Sequence, residues 1–349
     1  MNKKNLIIEI LIPIFAVLLS LIISDILIII YKQSPLKVYK ILIEGTILNP
    51  YGIGQVLFKT TPLIFTGLAV AFAFHAGLFN IGCEGQLYVG AFTTAIVAAY
   101  LPQFTPPLIA ILLAIIAGFI AGFIAGFIPG YLKAKTGAHE VINTIMLNFI
   151  IMAIVNYLVI RFFKVPETIH TYPIINNAKI PRLFEYTSFF KGSAANLSFF
   201  IALLACFIIY IILWKTKFGY EVRATGYNPK AAETAGINIK KIVILAMSIS
   251  GGLAGLVGIN FVLGYKYYFE EGFSSGIGFM GIAVALLGRN HPLGVFIAAL
   301  FFGILSQGGL VINAIVPKEL VDILQAVVII SVVASSSEVR RLLFKLGRL

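Results

Sequence analysis

Three polar side chains, Asn80, Glu84 and Gln86, stand in an otherwise apolar part of the chain, within the segment GLFNIGCEGQLYVG at residues 77–90. Two amides and a carboxylate at this spacing can hydrogen-bond a polar solute, or satisfy the backbone of an interrupted helix. Gly77, Gly82, Gly85 and Gly90 punctuate the same segment. The aromatic neighbours Phe79 and Tyr88 add flat surfaces on which a ring could stack. No nucleophilic triad and no paired acids accompany these groups, so no catalytic residue is expected. His75, His139, His170 and His291 form no ligand-spaced cluster. Cys83 and Cys206 lie in apolar runs, where free cysteine behaves as a small hydrophobe. No metal site or disulfide is expected.

The elements that position these groups follow from composition. The chain has 349 residues, 60% of them hydrophobic and 11% charged, and its mean hydropathy is +1.00. A soluble domain carries about 25% charge. A polytopic, all-α integral membrane protein is expected, in one transmembrane domain over residues 1–349. Its net charge is +12. The basic residues sit at the ends of apolar segments, which fits the positive-inside rule and lipid headgroups better than nucleic acid.

A helical span needs roughly 20 apolar residues. Candidate spans fall at 6–30, 61–74, 81–101, 107–132, 141–162, 197–214, 242–263, 273–287, 293–316 and 320–334, about ten by this criterion. Those at 61–74, 273–287 and 320–334 are short, hence tilted, broken or only partly across. Lys3 and Lys4 precede the first run, which is too long for a signal peptide. It reads as a retained span. An even number of spans puts both termini on one side. The short basic loops around Lys133, Lys135, Lys215, Lys217, Arg223, Lys230, Lys240 and Lys241 assign that side to the cytoplasm.

Polar groups at membrane depth are tolerated where they are buried in protein or line a cavity. An ionisable one is a functional-site candidate by default. Asn80, Glu84 and Gln86 therefore read either as pathway-lining groups or as caps and internal partners of broken helices. Asn143, Asn148 and Asn156 follow on one span as secondary pathway candidates, with interhelical hydrogen bonding as the first reading. A second glycine-punctuated short span, with Gly276, Gly278 and Gly281, lies in the other half. Paired interrupted spans suggest an inverted repeat around a mid-membrane pathway.

Other segments have simpler readings. Residues 31–60 mix apolar positions with Lys37, Lys40 and Glu44, as in an outside helix on the membrane surface. Gly118, Gly122, Gly126 and Gly130 form a small-xxx-small ladder, for packing between spans or for a subunit interface. The outside loop at 164–196 reads as a lip over a pore mouth, where an external partner docks. The loop at 215–240 is the most polar inside segment. Asn228 suits a helix N-cap, Pro229 the first helical position and Gly236 a stop. Lys230, Ala231, Ala232, Glu233 and Ala235 would form a short exposed helix, a knob for another protein.

Three motifs carry a family resemblance: GLFNIGCEGQLYVG at 77–90, GYNPKAAETAGI at 226–237 running into SGGLAGLVG at 250–258, and IAVALLGRNHPLG at 282–294. With them the chain resembles permease subunits of bacterial ATP-binding-cassette importers for branched-chain amino acids, simple sugars and nucleosides. The Phe-Asn-Ile-Gly-x-Glu-Gly-Gln form at 79–86 is similar to the nucleoside branch, with Cys83 where many relatives have alanine. The resemblance implies a non-enzymatic subunit of the bacterial cytoplasmic (inner) membrane. It would import a nucleoside, purine favoured, by alternating access. The chain itself has no G-x-x-x-x-G-K-[ST] phosphate loop. ATP and magnesium would belong to partner ATPase subunits, which the 215–240 loop would contact as a coupling helix, with Gly226 in that motif. A second permease, an external solute-binding lipoprotein and membrane lipid are the other implied partners. A simple-sugar permease is the alternative within the family, and an ion-coupled secondary transporter the alternative outside it.

Overall fold

The computed structural model describes residues 21–313 without a break, together with 18, 315–317, 319, 321–323, 325–327 and 330. The basic N-terminus, the first half of the 6–30 span, most of the 320–334 span and both termini lie outside the described residues. Among the described residues the chain is helical, with three isolated β-bridges and no strand.

The helices are α1 (Leu21–Ile30), α2 (Pro35–Thr46), α3 (Pro50–His75), α4 (Cys83–Tyr100), α5 (Pro107–Thr136), α6 (Glu140–Leu158), α7 (Ser198–Lys215), α8 (Lys217–Tyr227), α9 (Pro229–Thr234), α10 (Ile239–Gly255), α11 (Ile277–Leu287) and α12 (Pro292–Ile312). Two π-helical turns, Val159–Phe163 and Ile259–Lys266, extend α6 and α10. Among the described residues, six helical segments are long and apolar enough to span a membrane: Pro50–His75, Pro107–Thr136, Glu140–Phe163, Ser198–Lys215, Ile239–Lys266 and Pro292–Ile312. Two shorter apolar helices, α1 and α11, accompany them. This is a multi-pass membrane protein, but among the described residues the count of about ten spans is not reached. The candidate span at 81–101 forms α4, whose hydropathy is diluted by Glu84, Gln86, Thr93 and Thr94.

The candidate span at 61–74 proves to be the second half of a 26-residue helix that starts at Pro50. Proline is preorganised for a first helical turn, and the Asn49 side chain accepts the Tyr51 N–H at 3.0 Å. Lys59 and Thr60 look like a segment end in sequence but are carried inside α3. The proposed outside segment therefore divides into α2 and the first turns of α3.

The contacts divide the chain into two compact units, residues 1–56 with 300–349, and residues 57–299. In the first unit, Tyr39 donates to the Asp25 carboxylate at 2.8 Å. Burial and that neighbouring carboxylate push the Tyr39 phenol above its ordinary pKa. Gly45 and Gly308 let α2 and α12 touch, since a Cβ at either would run into Val311 or Leu42.

The second unit is built on α4, α5 and α10. The ladder glycines of α5 all face inward. A Cβ on Gly122 would lie 3.0 Å from the Gly255 Cα, one on Gly126 3.1 Å from the Gly251 Cα, and one on Gly130 2.9 Å from the Met247 Cβ. Gly118 meets Thr94 and the Gly90 carbonyl of α4. The ladder is thus internal packing, of the small-residue kind that lets membrane helices approach closely.

Candidate functional site

Glu84 is the second residue of α4, and its carboxylate reaches the start of α11. Oε1 accepts the Gly276 N–H at 3.0 Å and Oε2 accepts the Gly278 N–H at 2.6 Å. Gly276 is the N-cap of α11 in a left-handed conformation, φ 86°. The first N–H groups of a helix have no intrahelical partner, and here a carboxylate that is 3% exposed satisfies two of them. The positive ends of two helix dipoles converge on one negative charge, which favours it. The approach requires Gly278, because a Cβ there would sit 2.6 Å from the Glu84 Cα. The two glycine-punctuated spans noted in the sequence therefore meet at their N-termini.

Asn80 ties the turn between α3 and α4. Its Nδ2 donates to Gln86 Oε1 and to Ser250 Oγ, both at 2.8 Å. Its Oδ1 accepts from the Gly82 N–H at 3.0 Å and from Gln86 Nε2 at 3.2 Å. Ser250 in turn donates to the Ala69 carbonyl at 2.6 Å. From α6, Asn148 accepts the Gly85 N–H at 2.8 Å and donates to the Ile81 carbonyl at 3.0 Å. Tyr88 donates to Asn156 Oδ1 at 2.7 Å and accepts the Gly272 N–H at 3.0 Å. Its ring lies parallel to Phe273 and edge-on to Phe269, with centroids at 5.7 and 5.0 Å.

Asn80, Glu84, Gln86 and Tyr88 are thus brought together, buried and engaged by partners within the chain. Phe79 and Asn143 are half-buried. The Phe79 ring stacks on Phe74 at 5.1 Å, and Asn143 Nδ2 is buried with no hydrogen-bond partner among the described residues. Asn148 and Asn156 make the interhelical bonds that their spacing suggested. No local pattern marks Ser250 as the partner of Asn80, since an alcohol inside SGGLAGLVG reads as a small packing residue.

The polar loop contains two helices, not the single one expected. The first, α8, is capped by the Thr216 hydroxyl, which accepts the Gly219 N–H at 3.1 Å. The second, α9, has the expected ends. Asn228 Oδ1 accepts the Ala231 N–H at 3.2 Å, and Pro229 fills the first position. Gly236 takes φ 83°, with the Ile237 N–H bonded to the Ala232 carbonyl and the Gly236 N–H to that of Glu233. That is the paired bonding of a Schellman stop. Asn228, Pro229, Lys230, Ala231, Glu233, Ala235 and Gly236 are exposed. Ala232 is not: it is 4% exposed and packs inward, so it belongs to the root of the knob and not its face.

This loop touches the glycine-rich segment directly. A Cβ on Gly226, in the last turn of α8, would lie 2.8 Å from the Gly77 nitrogen, and one on Gly77 would lie 3.2 Å from the Gly226 Cα. Beside them, His75 Nε2 is 2.9 Å from the Asn290 carbonyl, in the turn after α11. Trp214 packs between His75 and His291 at 5.2 and 4.9 Å.

At the far end of α10 the loop 164–196 is bonded to the chain after the π-helix. Thr171 N–H reaches the Phe269 carbonyl at 2.9 Å, Phe269 N–H the Thr171 hydroxyl at 3.0 Å, and Glu271 N–H the Ile169 carbonyl at 3.1 Å. His170 stacks on Tyr268 at 4.2 Å.

The family described as branched-chain amino acid transport system / permease component matches residues 52–333. The guanosine ABC transporter permease protein NupP of Bacillus subtilis (strain 168) is 39% identical over 347 residues, 97% of each chain. The nucleoside ABC transporter permease protein NupB of Lactococcus lactis subsp. cremoris is 36% identical, over 94% of this chain and 91% of its own. The glucose ABC transporter permease protein TsgB13 of Haloferax volcanii is 32% identical, over 93% and 87%. No solved structure matches the chain.

Proposed function

This chain belongs to the family of branched-chain amino acid transport system permease components, and from that premise we propose that it is the permease subunit of an ATP-driven nucleoside importer. The observation that carries the solute class is the 39% identity with a guanosine permease along 97% of both chains. The lower identity to a glucose permease, 32%, places the sugar reading second.

In this reading α8 and α9 face the cytoplasm, and the exposed residues Asn228, Pro229, Lys230, Ala231, Glu233, Ala235 and Gly236 dock on an ATPase subunit. A push on α9 reaches the α3–α4 turn through the Gly226–Gly77 contact. The same push reaches the end of α11 through His75 and Asn290. Both ends of α11 are then held, one by Glu84 and one by this turn, so α11 shifts as a unit when the subunit changes state. Coupling needs a partner that binds the two states unequally, and ATP with magnesium on the ATPase supplies that difference. Asn80, Glu84 and Gln86 keep the helix break rigid. Phe79 and Asn143, which are not fully enclosed, are the groups of this layer open to a passing solute. A second related permease completes the pathway. An external solute-binding lipoprotein delivers the solute at the loop 164–196.

The test is genetic. A bacterial strain lacking this chain should become resistant to toxic nucleoside analogues and lose uptake of labelled guanosine. Expression of the chain with its ATPase should restore both. Restoration by the chain in a strain that also lacks the ATPase would favour an ion-coupled transporter.

A further inference from the structure

A cavity of about 130 Å³ opens where the π-helix Ile259–Lys266 ends, lined by Phe261, Val262, Lys266, Tyr268, Phe269, Glu270 and Phe273. Its chemistry is specific. Four of the lining groups are aromatic rings, and their arrangement is fixed. Phe261 and Phe269 both stand edge-on to Phe273, with centroids at 5.1 and 5.5 Å. Walls set this way offer both ring faces and ring edges, the two surfaces an incoming aromatic ring prefers to meet. Phe261, Tyr268 and Phe273 are only half-buried, so the rings are reachable. At the rim, Lys266 and Glu270 pair at 2.9 Å and remain about a third exposed, at 38% and 29%. That pair holds both donors and an acceptor within one small patch.

The backbone is irregular at the same place. The wide π turn brings Phe261 and Lys266, five residues apart, onto one wall, and such turns recur at functional sites. The chain leaves it through Tyr267 at φ 66°, a left-handed conformation that a tyrosine adopts at a cost. Tyr268 is held by the His170 ring from the loop 164–196. The cavity wall is thereby tied to the segment read as the outside lip.

We propose that this cavity takes the base ring of a nucleoside as it enters the subunit, with the ribose left at the Lys266–Glu270 rim. Size supports the division. An apolar cavity of about 150 Å³ holds one benzene, so this cavity has room for one ring, the whole of a pyrimidine or the six-membered ring of a purine, and none for a ribose as well. Hydroxyls and base-edge groups then meet the ammonium and carboxylate at the rim. Sequence-tolerant stacking suits a permease that must hold its solute briefly and release it.

The proposal rests on the nucleoside reading, and the test separates the two. The complete transporter in proteoliposomes is assayed for ATP-dependent uptake of guanosine and of uridine. Phe261→Leu should raise the KM of both about tenfold, since loss of one stacking ring weakens base binding substantially. Phe261→Trp, which fills the cavity, should raise it as well. Where Phe261→Leu fails to assemble, Tyr268→Leu at a half-exposed position carries the same expectation. An unchanged KM in any of these variants that still transports overturns the cavity assignment. Failure of the wild-type transporter to carry any nucleoside overturns the functional reading instead.

Discussion

The Glu84 carboxylate and the Gly278 backbone N–H, 194 positions apart in sequence, form a buried hydrogen bond of 2.6 Å that fastens the start of α4 to the start of α11. Glu84→Ala would leave the N–H groups of Gly276 and Gly278 buried without an acceptor, at about 1–3 kcal/mol for each. The expected outcome is a lower unfolding temperature in detergent together with lost uptake. Glu84→Gln keeps one acceptor and should fall between the two. A Glu84→Ala protein as stable as wild type would show that the clamp is not structural.

Gly278 tests the same junction from the other side. Alanine there would force a methyl against the backbone of Glu84, and overpacking of this kind costs about 1–3 kcal/mol. Gly278→Ala should lose stability by a similar amount to Glu84→Ala. The double variant should lose less than the sum of the two, because both break one contact. Thermal unfolding of the four proteins measures this directly.

Gly226→Ala should uncouple the subunit. The added methyl would separate α8 from the turn at Gly77 while leaving the exposed face of α9 intact. In the reconstituted transporter, solute carried per ATP hydrolysed should fall at least about tenfold, the scale of a 1.4 kcal/mol change in coupling. Equal losses of hydrolysis and uptake would contradict the relay and point to failed assembly.

Ala231 and Ala232 are neighbours with opposite surroundings. Ala231→Arg adds charge to an exposed face and should abolish capture of the ATPase in a pull-down without lowering the unfolding temperature. Ala232→Arg places a long cation where the chain is closed, and should lower that temperature first. Destabilisation by Ala231→Arg would move the docking face elsewhere.

The ends of α9 were legible in the sequence because Asn228, Pro229 and Gly236 act locally, each on a backbone group within a few residues. Residues 77–90 were legible as a helix break for the same reason. What bonds to them was not. Ser250 and Gly278 reach that segment across 170 and 194 positions, and no local pattern encodes such a pairing. The expected span at 61–74 starts too late because Lys59 resembles a span end, whereas Lys59 and Pro62, twelve residues after Pro50, are both accommodated within one long helix. The inward face of Ala232 was equally hidden, since alanine suits a knob and its root alike.

In the proposed reading this chain moves nucleosides using ATP hydrolysed by a partner. The most direct measurement is accumulation of radiolabelled guanosine in proteoliposomes that contain the chain with its ATPase, second permease and binding protein. Uptake should require ATP, be competed by unlabelled nucleosides and be indifferent to excess glucose. Uptake driven by an ion gradient without ATP, or competed by glucose and not by nucleosides, would contradict it.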